Sequence, residues 1–468
     1  MAVSERRPET VGELRASGYR VRPVREEMRS NLIRKIRNKE RLFPGVIGFD
    51  DTVLPYLENA ILSGQAIIFL GERGQAKSRL IRQLVSLLDD AIPAIAGCEI
   101  NDNPFAPVCR GCLDRAEKEG DDLPIAWLTP DQRYGEKLAT PDITIADLIG
   151  EIDPIKVAEG RYLSDEMAIH YGLVPRSNRG IFSINELPDL AERIQVGLLN
   201  IMEERDIQIR GYRVRMPLDV YIVASANPED YTNRGRIITP LKDRYGAQIR
   251  THYPRTVEDE IGIMEQEMYR TQDDGRETFV PQYMKEIIAE ITRLARRSPD
   301  INQRSGVSVR ASITDYESIL ANALRRAIRL NEREVVPRIS DLPYVLPAIS
   351  GKIEFETLEE GREEQIIEKL IAGAVLAVFN RHFSLNDLEE VVASFKSGLV
   401  AEASDLAPSE SYLPLLSRVE GLQRAVGRLK TGEQPAAIAS AVEFVLEGLH
   451  LNKRLNKENA SGRTHYRG

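Results

Sequence analysis

The chain has 468 residues, of which 42% are apolar and 29% charged; this balance indicates a globular protein of about two to four domains and excludes a disordered chain. Its net charge of −9 excludes a uniformly basic nucleic-acid coat but not a local basic patch. No apolar run approaches the roughly 20 residues of a membrane helix, and no export signal is visible. Three cysteines are too few for a disulfide framework, so a reducing cytoplasm is the predicted location.

The first half of the sequence predicts an α/β layer. Residues 1–40 are polar and Arg-rich, which predicts a helical extension whose basic face is either solvated or a nucleic-acid contact. Short apolar runs then predict buried strands at residues 67–70, 125–128, 181–184 and 220–224. Helical stretches lie between these runs, so residues 41–255 are predicted to form a parallel sheet flanked by helices.

The second half predicts helices. Apolar residues at helical spacing, without obvious strands, predict a helical domain over residues 256–350. An acidic run at 359–364 marks a further boundary, and residues 351–468 are predicted to form another helical region. The polar and basic tail after Leu451 is predicted to fray.

The segment between the first predicted strand and its helix has the features of a phosphate-binding loop. Glycines allow backbone N–H groups to face an anion, and the following helix adds its positive N-terminus. Lys77 would then reach the β- and γ-phosphates and Ser78 would ligate Mg²⁺, while Ala76 stands where a second glycine is usual. The predicted nucleotide-binding residues are Gly71, Glu72, Arg73, Gly74, Gln75, Ala76, Lys77, Ser78 and Arg79. An ordinary strand-to-helix turn is the alternative.

Two later strands end in polar residues that suit hydrolysis. The 181–184 strand runs into Asn185-Glu186, where a nucleoside-triphosphatase usually has Asp-Glu. Glu186 is therefore the predicted general base, and Asn185 would bond a Mg²⁺-bound water without adding a negative charge. Asn227 follows the next strand and is predicted to hold the attacking water, with a plain turn as the alternative.

Two arginines are further candidates. Arg244, in the segment TPLKDRYG, stands where it would reach the nucleotide of a neighbouring subunit, and Arg310 opens a helix in the second half. Taken alone, each arginine fits a surface ion pair better than a catalytic role.

The order of these motifs resembles that of AAA+ ATPases in the clade of magnesium chelatase I subunits and MoxR ATPases, over residues 43–349. GERGQAKS is similar to the Walker A motif of the family, and RGIFSINEL to its Walker B motif with Asn185 in place of aspartate. Residues 198–231 resemble the helix, hairpin and sensor 1 segment, with the hairpin at Ile207–Met216 turning at Gly211-Tyr212. The resemblance implies that Arg244 is the arginine finger and Arg310 the sensor 2 residue. It also implies that residues 159–179 include the helix 2 insertion.

This resemblance implies an αβα P-loop core with a parallel sheet, an α-helical lid and an extra C-terminal helical region. It further implies a homo-hexamer or other ring that binds ATP and Mg²⁺ at subunit interfaces, with a von Willebrand A domain protein as partner. Chelatase members drive Mg²⁺ insertion into protoporphyrin, and MoxR members remodel proteins. The implied function is ATP hydrolysis that remodels a partner protein or complex.

Two other functions stay open at this point. Asn185 favours a slow-turnover, nucleotide-gated scaffold or assembly factor. A nucleic-acid motor or transcription activator is the remaining alternative, but the acidic total and the absence of a GAFTGA loop from the sequence count against it.

All three cysteines lie close together in the sequence. Cys109 and Cys112 form a CxxC pair, and Cys98 adds a third thiol. A structural zinc site takes four ligands, so the fourth would be a remote residue, water or a carboxylate. Redox pairing and plain reduced cysteines in a loop insertion are the alternatives.

Overall fold

The chain divides into two compact units, residues 1–252 and 253–468. The computed structural model describes residues 7–153, 155, 158, 166–204, 207–209, 212–214, 216–227, 235–269, 275–303, 305–356, 361–460 and 463–468. The domain boundaries predicted at 40/41, 255/256 and 350/351 stay predictions.

The first unit alternates helices and strands. Its described helices are α1 (Val11–Ala16), α2 (Val24–Arg37), α3 (Val53–Leu62), α4 (Lys77–Gln83), α5 (Arg110–Glu119), α6 (Ile145–Leu148), α7 (Leu173–Arg176), α8 (Glu192–Glu204) and α9 (Thr239–Arg244). Its described strands are β1 (Ile67–Leu70), β2 (Ile92–Ile95), β3 (Ile125–Leu128), β4 (Tyr134–Leu138), β5 (Gly150–Ile152), β6 (Ile169–Tyr171), β7 (Gly180–Asn185), β8 (Ile207–Ile209), β9 (Tyr212–Val214), β10 (Val220–Ala226) and β11 (Ala247–Arg250).

Five of these strands form one parallel sheet in the order β11-β1-β10-β7-β4. In the register of this sheet, Ile67 lies opposite Val223 and Val220 opposite Gly180. Because all five strands run the same way, the carboxyl ends of β1, β7 and β10 lie at one edge of the sheet.

Both faces of the sheet are buried. Ile67 and Phe69 of β1 pack into one hydrophobic cluster with residues of α2, α3 and α4, whereas Ile68 packs into another cluster with α8 and α9. Alternate side chains of a strand point to opposite faces, so a strand covered on both sides reads as a continuous apolar run. The predicted αβα core is therefore confirmed.

One predicted strand lies outside this sheet. Residues 125–128 form β3 as expected, but β3 pairs antiparallel with β2, with Ile95 opposite Ile125. The intervening segment 96–124 carries the cysteines and α5 before the chain returns. The β2–β3 hairpin is therefore an excursion from the chain path of the αβα core, and β3 is not a strand of the five-stranded sheet.

The N-terminal segment packs into the first unit through α2. Val24, Met28 and Leu32 are buried in the same cluster as β1. Glu27 accepts two hydrogen bonds from the buried Arg133 guanidinium, at 2.6 and 2.7 Å. The predicted helix is thus present, with an apolar face that the polar composition of residues 1–40 obscures.

The second unit is mainly helical. Its described helices are α10 (Val257–Glu267), α11 (Gln282–Ala295), α12 (Val309–Leu330), α13 (Leu346–Ser350), α14 (Arg362–His382), α15 (Glu389–Lys396), α16 (Leu413–Arg418), α17 (Leu422–Arg428) and α18 (Pro435–Leu451). Its described strands are β12 (Glu277–Thr278), β13 (Glu334–Val335), β14 (Val400–Ala403), β15 (Asn456–Ala460) and β16 (Arg463–Arg467). Tyr283 of α11 stacks on Phe444 of α18 with ring centroids 4.3 Å apart, and α18 is buried over most of its length.

The predicted fraying of the C-terminal tail is wrong. The described residues after Leu451 include β15 and β16, which pair antiparallel, and β16 also pairs with β14. Tyr466 is buried, and its hydroxyl donates to Glu447 of α18. Leu455 is buried in the same hydrophobic cluster, so two inward-facing residues anchor a segment whose composition is that of a loose tail.

Among the described residues, the helices that form are too short or too polar to cross a membrane.

Candidate functional site

The loop between β1 and α4 is held by side chains from the neighbouring strand ends. Gln75 Oε1 accepts from the Glu72 N–H at 3.1 Å and from the Thr251 hydroxyl at 2.8 Å. The Gly71 N–H donates to the Ala226 carbonyl at 3.1 Å. A Cβ at Gly71 would collide with Thr251 and Gln75, so the loop requires glycine at that position.

Ala76 has an uncommon backbone conformation. Its φ is +55°, in the left-handed region, immediately before α4 begins at Lys77. That region costs an L-residue roughly 1–2 kcal/mol, which glycine avoids. The turn geometry expected of a glycine is therefore present here with alanine.

Lys77 is 7% exposed and lies over the loop. Its Nζ donates to the carbonyls of Gly71 and Glu72, the latter at 2.8 Å. Arg79 donates to the Gly45 carbonyl at 2.9 Å. Ser78, Glu72, Arg73 and Gly74 are exposed or partly exposed.

The ends of β7 and β10 are joined by Ser225. Its hydroxyl donates to Asn185 Oδ1 at 3.2 Å and accepts from the Glu186 N–H at 3.3 Å. Glu186 has a φ of +56°, so the chain turns sharply as β7 ends. Asn227, 2% exposed, follows β10 directly. Asn185, Glu186 and Asn227 therefore lie at the same sheet edge as the loop.

The sequence reasoning missed Glu136 of β4. Asn185 Nδ2 donates to Glu136 Oε1 at 2.6 Å. Arg82 of α4 binds the same carboxylate with two hydrogen bonds, at 2.9 and 3.1 Å, and the Tyr134 hydroxyl donates to it at 3.0 Å. Burial acts to raise the pKa of Glu136, but hydrogen bonds from Arg82, Tyr134 and Asn185 outweigh it and the pKa is lowered. A carboxylate thus stands beside the amide that replaces the usual aspartate.

The two candidate arginines lie in different units. Arg244 ends α9 and forms an ion pair with Glu203 of α8, both about two-fifths exposed (40% and 41%). Arg310 is exposed in the first turn of α12, where its N–H donates to the Ser308 hydroxyl at 3.1 Å.

Strands β8 and β9 pair antiparallel at the predicted hairpin, with Ile209 opposite Tyr212. Gly211 at its turn, and residues 159–165 of the predicted insertion, lie outside the described residues.

The three cysteines come together around Asp102. Their sulfurs and an Asp102 carboxylate oxygen all lie within 4.8 Å of one another. Hydrogen bonds from the other two thiols lower the pKa of Cys98 to about 3. Hydrogen bonds to Cys109 and Cys98, and then burial, raise the pKa of Cys112.

Comparisons with known proteins agree with the fold. A sequence profile for the Sigma-54 interaction domain matches residues 158–241. The chain is 27% identical to the 38 kDa magnesium-chelatase subunit of Cereibacter sphaeroides over 47% of this chain and 62% of that subunit, so the match spans less than two thirds of that relative. It is 25% identical to magnesium-chelatase subunit ChlI of Nostoc sp. over 70% of this chain and 88% of the subunit.

A solved structure of the BchI–BchD complex of magnesium chelatase aligns at 20% identity and a TM-score of 0.37, over 69% of this chain and 98% of that one.

The parallel αβα core and the strand-to-helix loop define the class as a P-loop nucleoside-triphosphatase fold of the AAA+ type. Within that class, the chain is similar in sequence to the 38 kDa magnesium-chelatase subunit and to magnesium-chelatase subunit ChlI. The MoxR resemblance stays a prediction.

Proposed function

We propose that this chain binds ATP with Mg²⁺ at the 71–79 loop and hydrolyses it. The observation that carries the proposal is the meeting of three polar strand ends at one sheet edge: the loop after β1, Asn185-Glu186 after β7 and Asn227 after β10. Ligands of open α/β sheets bind at this carboxyl edge.

The residues present fit a nucleotide and its metal. The hydrogen bond from Thr251 to Gln75 holds the loop in place, and α4 begins where phosphates would lie. Lys77 supplies the positive charge for the β- and γ-phosphates, and Ser78 supplies an oxygen for Mg²⁺. Bound Mg²⁺ neutralises charge that develops on the phosphates.

We assign the missing Walker B charge to Glu136. A carboxylate is a preferred partner for a metal-bound water, whereas the Asn185 amide carries no charge. Because Asn185 and Arg82 both bind Glu136, the carboxylate is held in place and stays ionised. Asn185 would then act by positioning Glu136 as well as through its own oxygen.

We assign the base to Glu186, which polarises the attacking water, and water alignment to Asn227. Ser225 fixes the backbone of Glu186 through the N–H contact at 3.3 Å.

Arg244 lies at the end of α9, and its ion pair with Glu203 is exposed. An exposed pair of this kind contributes little stability, so it exchanges at low cost for a phosphate of an adjacent subunit. We therefore propose a ring in which Arg244 completes the site of a neighbour. The work of the ring would be to remodel a partner, with a von Willebrand A domain protein as the first candidate.

The test is release of inorganic phosphate from ATP by the purified full-length chain, with and without a candidate von Willebrand A partner. We expect Mg²⁺-dependent turnover, its loss in Lys77→Ala, and its retention in Lys369→Ala, which removes an exposed lysine of α14. Turnover that Lys77→Ala leaves unchanged would contradict the proposal. Turnover that is very slow with and without partner, combined with tight ATP binding, would favour the nucleotide-gated scaffold.

The Sigma-54 profile match supports a second candidate, a transcription activator. The acidic net charge of −9 and the lack of a GAFTGA motif weigh against it. ATP-dependent open-complex formation by a sigma-54 polymerase in the presence of this chain would establish the second candidate.

A further inference from the structure

The segment 96–124 carries a cluster that the nucleotide site does not use. It consists of three thiols and one carboxylate, from Cys98, Asp102, Cys109 and Cys112. Cys109 is 9% exposed, Cys112 3% and Asp102 0%, while Cys98 is partly exposed. Four ligands that are nearly closed to water are typical of a structural metal site, because a catalytic one keeps a position open.

The spacing of the ligand atoms fits one small ion. Cys98 Sγ and Cys109 Sγ are 4.0 Å apart, and all four ligand atoms lie within 4.8 Å. Zinc–sulfur bonds of about 2.3 Å in a tetrahedron require sulfurs about 3.8 Å apart. A shift of a few tenths of an ångström would therefore bring the two sulfurs to zinc geometry.

Asp102 provides the second, independent indication. Its side chain is completely buried, and within the described part of the chain its Oδ1 has no hydrogen-bond partner. Its other oxygen accepts from the Cys109 N–H at 3.0 Å. A buried carboxylate oxygen without a hydrogen-bond partner is costly unless a cation is bound beside it, and this carboxylate belongs to the same 4.8 Å cluster as the three sulfurs.

The backbone around the cluster favours thiolates. The Asp102 N–H donates to Cys98 Sγ at 3.5 Å, and the Cys112 N–H donates to Cys109 Sγ at 3.4 Å. Cys109 is the N-cap of α5, whose positive end stabilises a neighbouring negative charge. The Arg115 side chain of α5 donates to the Ala96 carbonyl at 2.7 Å and so joins the helix to the residue that follows β2.

We propose that Cys98, Asp102, Cys109 and Cys112 bind one Zn²⁺ in a closed structural site that staples the β2–β3 excursion. Three sulfurs are soft ligands that select zinc over Mg²⁺ or Ca²⁺, and the tetrahedral set excludes the octahedral ions. Each ligating thiol loses its proton to solvent, so the step needs no oxidant or reductant. Since the site lies away from the 71–79 loop in the sequence and uses none of its residues, it stands or falls separately from the proposed ATPase.

The experiment is metal analysis of the full-length chain purified under reducing conditions, by inductively coupled plasma mass spectrometry. We expect about one zinc per chain. Replacement by Co²⁺ should produce intense visible bands of tetrahedral cobalt and near-ultraviolet cobalt–thiolate bands. Absence of zinc, together with absence of these bands on titrating the reduced apoprotein with Co²⁺, would overturn the proposal. A Cys98–Cys109 disulfide in the purified chain would overturn it as well, provided that the chain still takes up no metal once this disulfide has been reduced.

Variants separate ligation from folding. Asp102→Asn keeps the shape of the side chain and should weaken zinc affinity by at least about tenfold, measured against a chromophoric chelator. Cys112→Ser should lose stoichiometric zinc. The matched control is Asp114→Asn, which removes a partly exposed carboxylate of α5 that pairs with Arg110, and it should bind zinc as the native chain does. Equal zinc affinity in Asp102→Asn and the native chain would remove Asp102 from the ligand set and overturn the four-ligand site.

Discussion

Two polar clusters of the first unit are built in opposite ways. The proposed nucleotide edge draws on the ends of β1, β7 and β10 and on the middle of β4, so its residues range from Gly71 to Asn227. The cysteine cluster is local and lies entirely within residues 98–112. The proposed nucleotide edge is held by complementary contacts, such as the bonds from Lys77 to two carbonyls and from Arg82 to the Glu136 carboxylate. The cysteine cluster instead crowds ionisable groups against one another.

The difference teaches what each cluster needs in order to work. A site that binds and releases a charged substrate holds its own charged groups in fixed positions. Few contacts then have to rearrange when the substrate binds. A structural metal site leaves like groups in mutual conflict until the ion resolves it. The two proposed sites share no residues, so variants of either should leave the other intact.

The largest effect is expected from Lys77→Ala. Because Lys77 supplies the charge that meets the phosphates, the variant should lose tight ATP binding and all measurable hydrolysis. Titration with a fluorescent ATP analogue measures the binding, and release of inorganic phosphate measures the hydrolysis. The zinc content of the variant should equal that of the native chain. Loss of zinc in this variant would contradict the prediction that the two clusters act independently.

Arg244→Ala should preserve ATP binding and lower the rate of hydrolysis by roughly 10³–10⁵-fold, the range of an arginine finger. Mixed with Glu186→Gln subunits it should regain activity, because one interface then receives both intact groups. Failure to regain activity at any ratio, with rings confirmed by light scattering, would place Arg244 outside the neighbour's site.

A charge swap tests Glu136. Glu136→Gln should raise the Mg²⁺ concentration needed for half-maximal hydrolysis by about tenfold. Asn185→Asp alone should also weaken activity, since it places a second carboxylate against Glu136, where the native amide donates at 2.6 Å. The double variant restores one amide and one carboxylate and should approach native Mg²⁺ dependence. Additive losses in the double variant would mean that the pair does not share a metal role.

The smallest effect is expected from Ala76→Gly. Glycine relieves the left-handed φ of +55°, offset by greater freedom in the unfolded chain, so the net gain in unfolding free energy is at most about 1 kcal/mol. Urea denaturation would measure it. Ala393→Gly, in the exposed middle of α15, is the control and should cost about 1 kcal/mol instead. Destabilisation of the same size in both variants would show that Ala76 is not strained.

The parts of the molecule that the sequence predicts well are those whose pattern lies in a short run of consecutive residues. The strand at 67–70, the loop after it and the Asn185-Glu186 step follow from local apolar runs and spacing, and their strands form as predicted. Glu136 could not be found this way, because β4 is a half-exposed edge strand whose sequence YGEKL has no apolar run. Its role depends on pairing with β7, which is distant in sequence.

Pairing also explains the other differences. The 125–128 run has the composition of a layer strand, and only its partner β2 shows that it belongs to a hairpin. In the described part of the tail, Leu455 and Tyr466 are the buried anchors, and no periodicity identifies them. Asp102 stands outside any cysteine spacing, so only the fold brings it to the thiols.

The most direct test of the nucleotide site is Glu186→Gln, measured as single-turnover hydrolysis of bound ATP. The amide keeps the shape of the side chain but cannot polarise water, so ATP should bind with native affinity while hydrolysis slows by about 10²–10⁴-fold. Ser225→Ala, which removes only the hydroxyl that bridges Asn185 and Glu186, should slow it less. Hydrolysis at the native rate in Glu186→Gln would contradict the assignment of this sheet edge as the catalytic site.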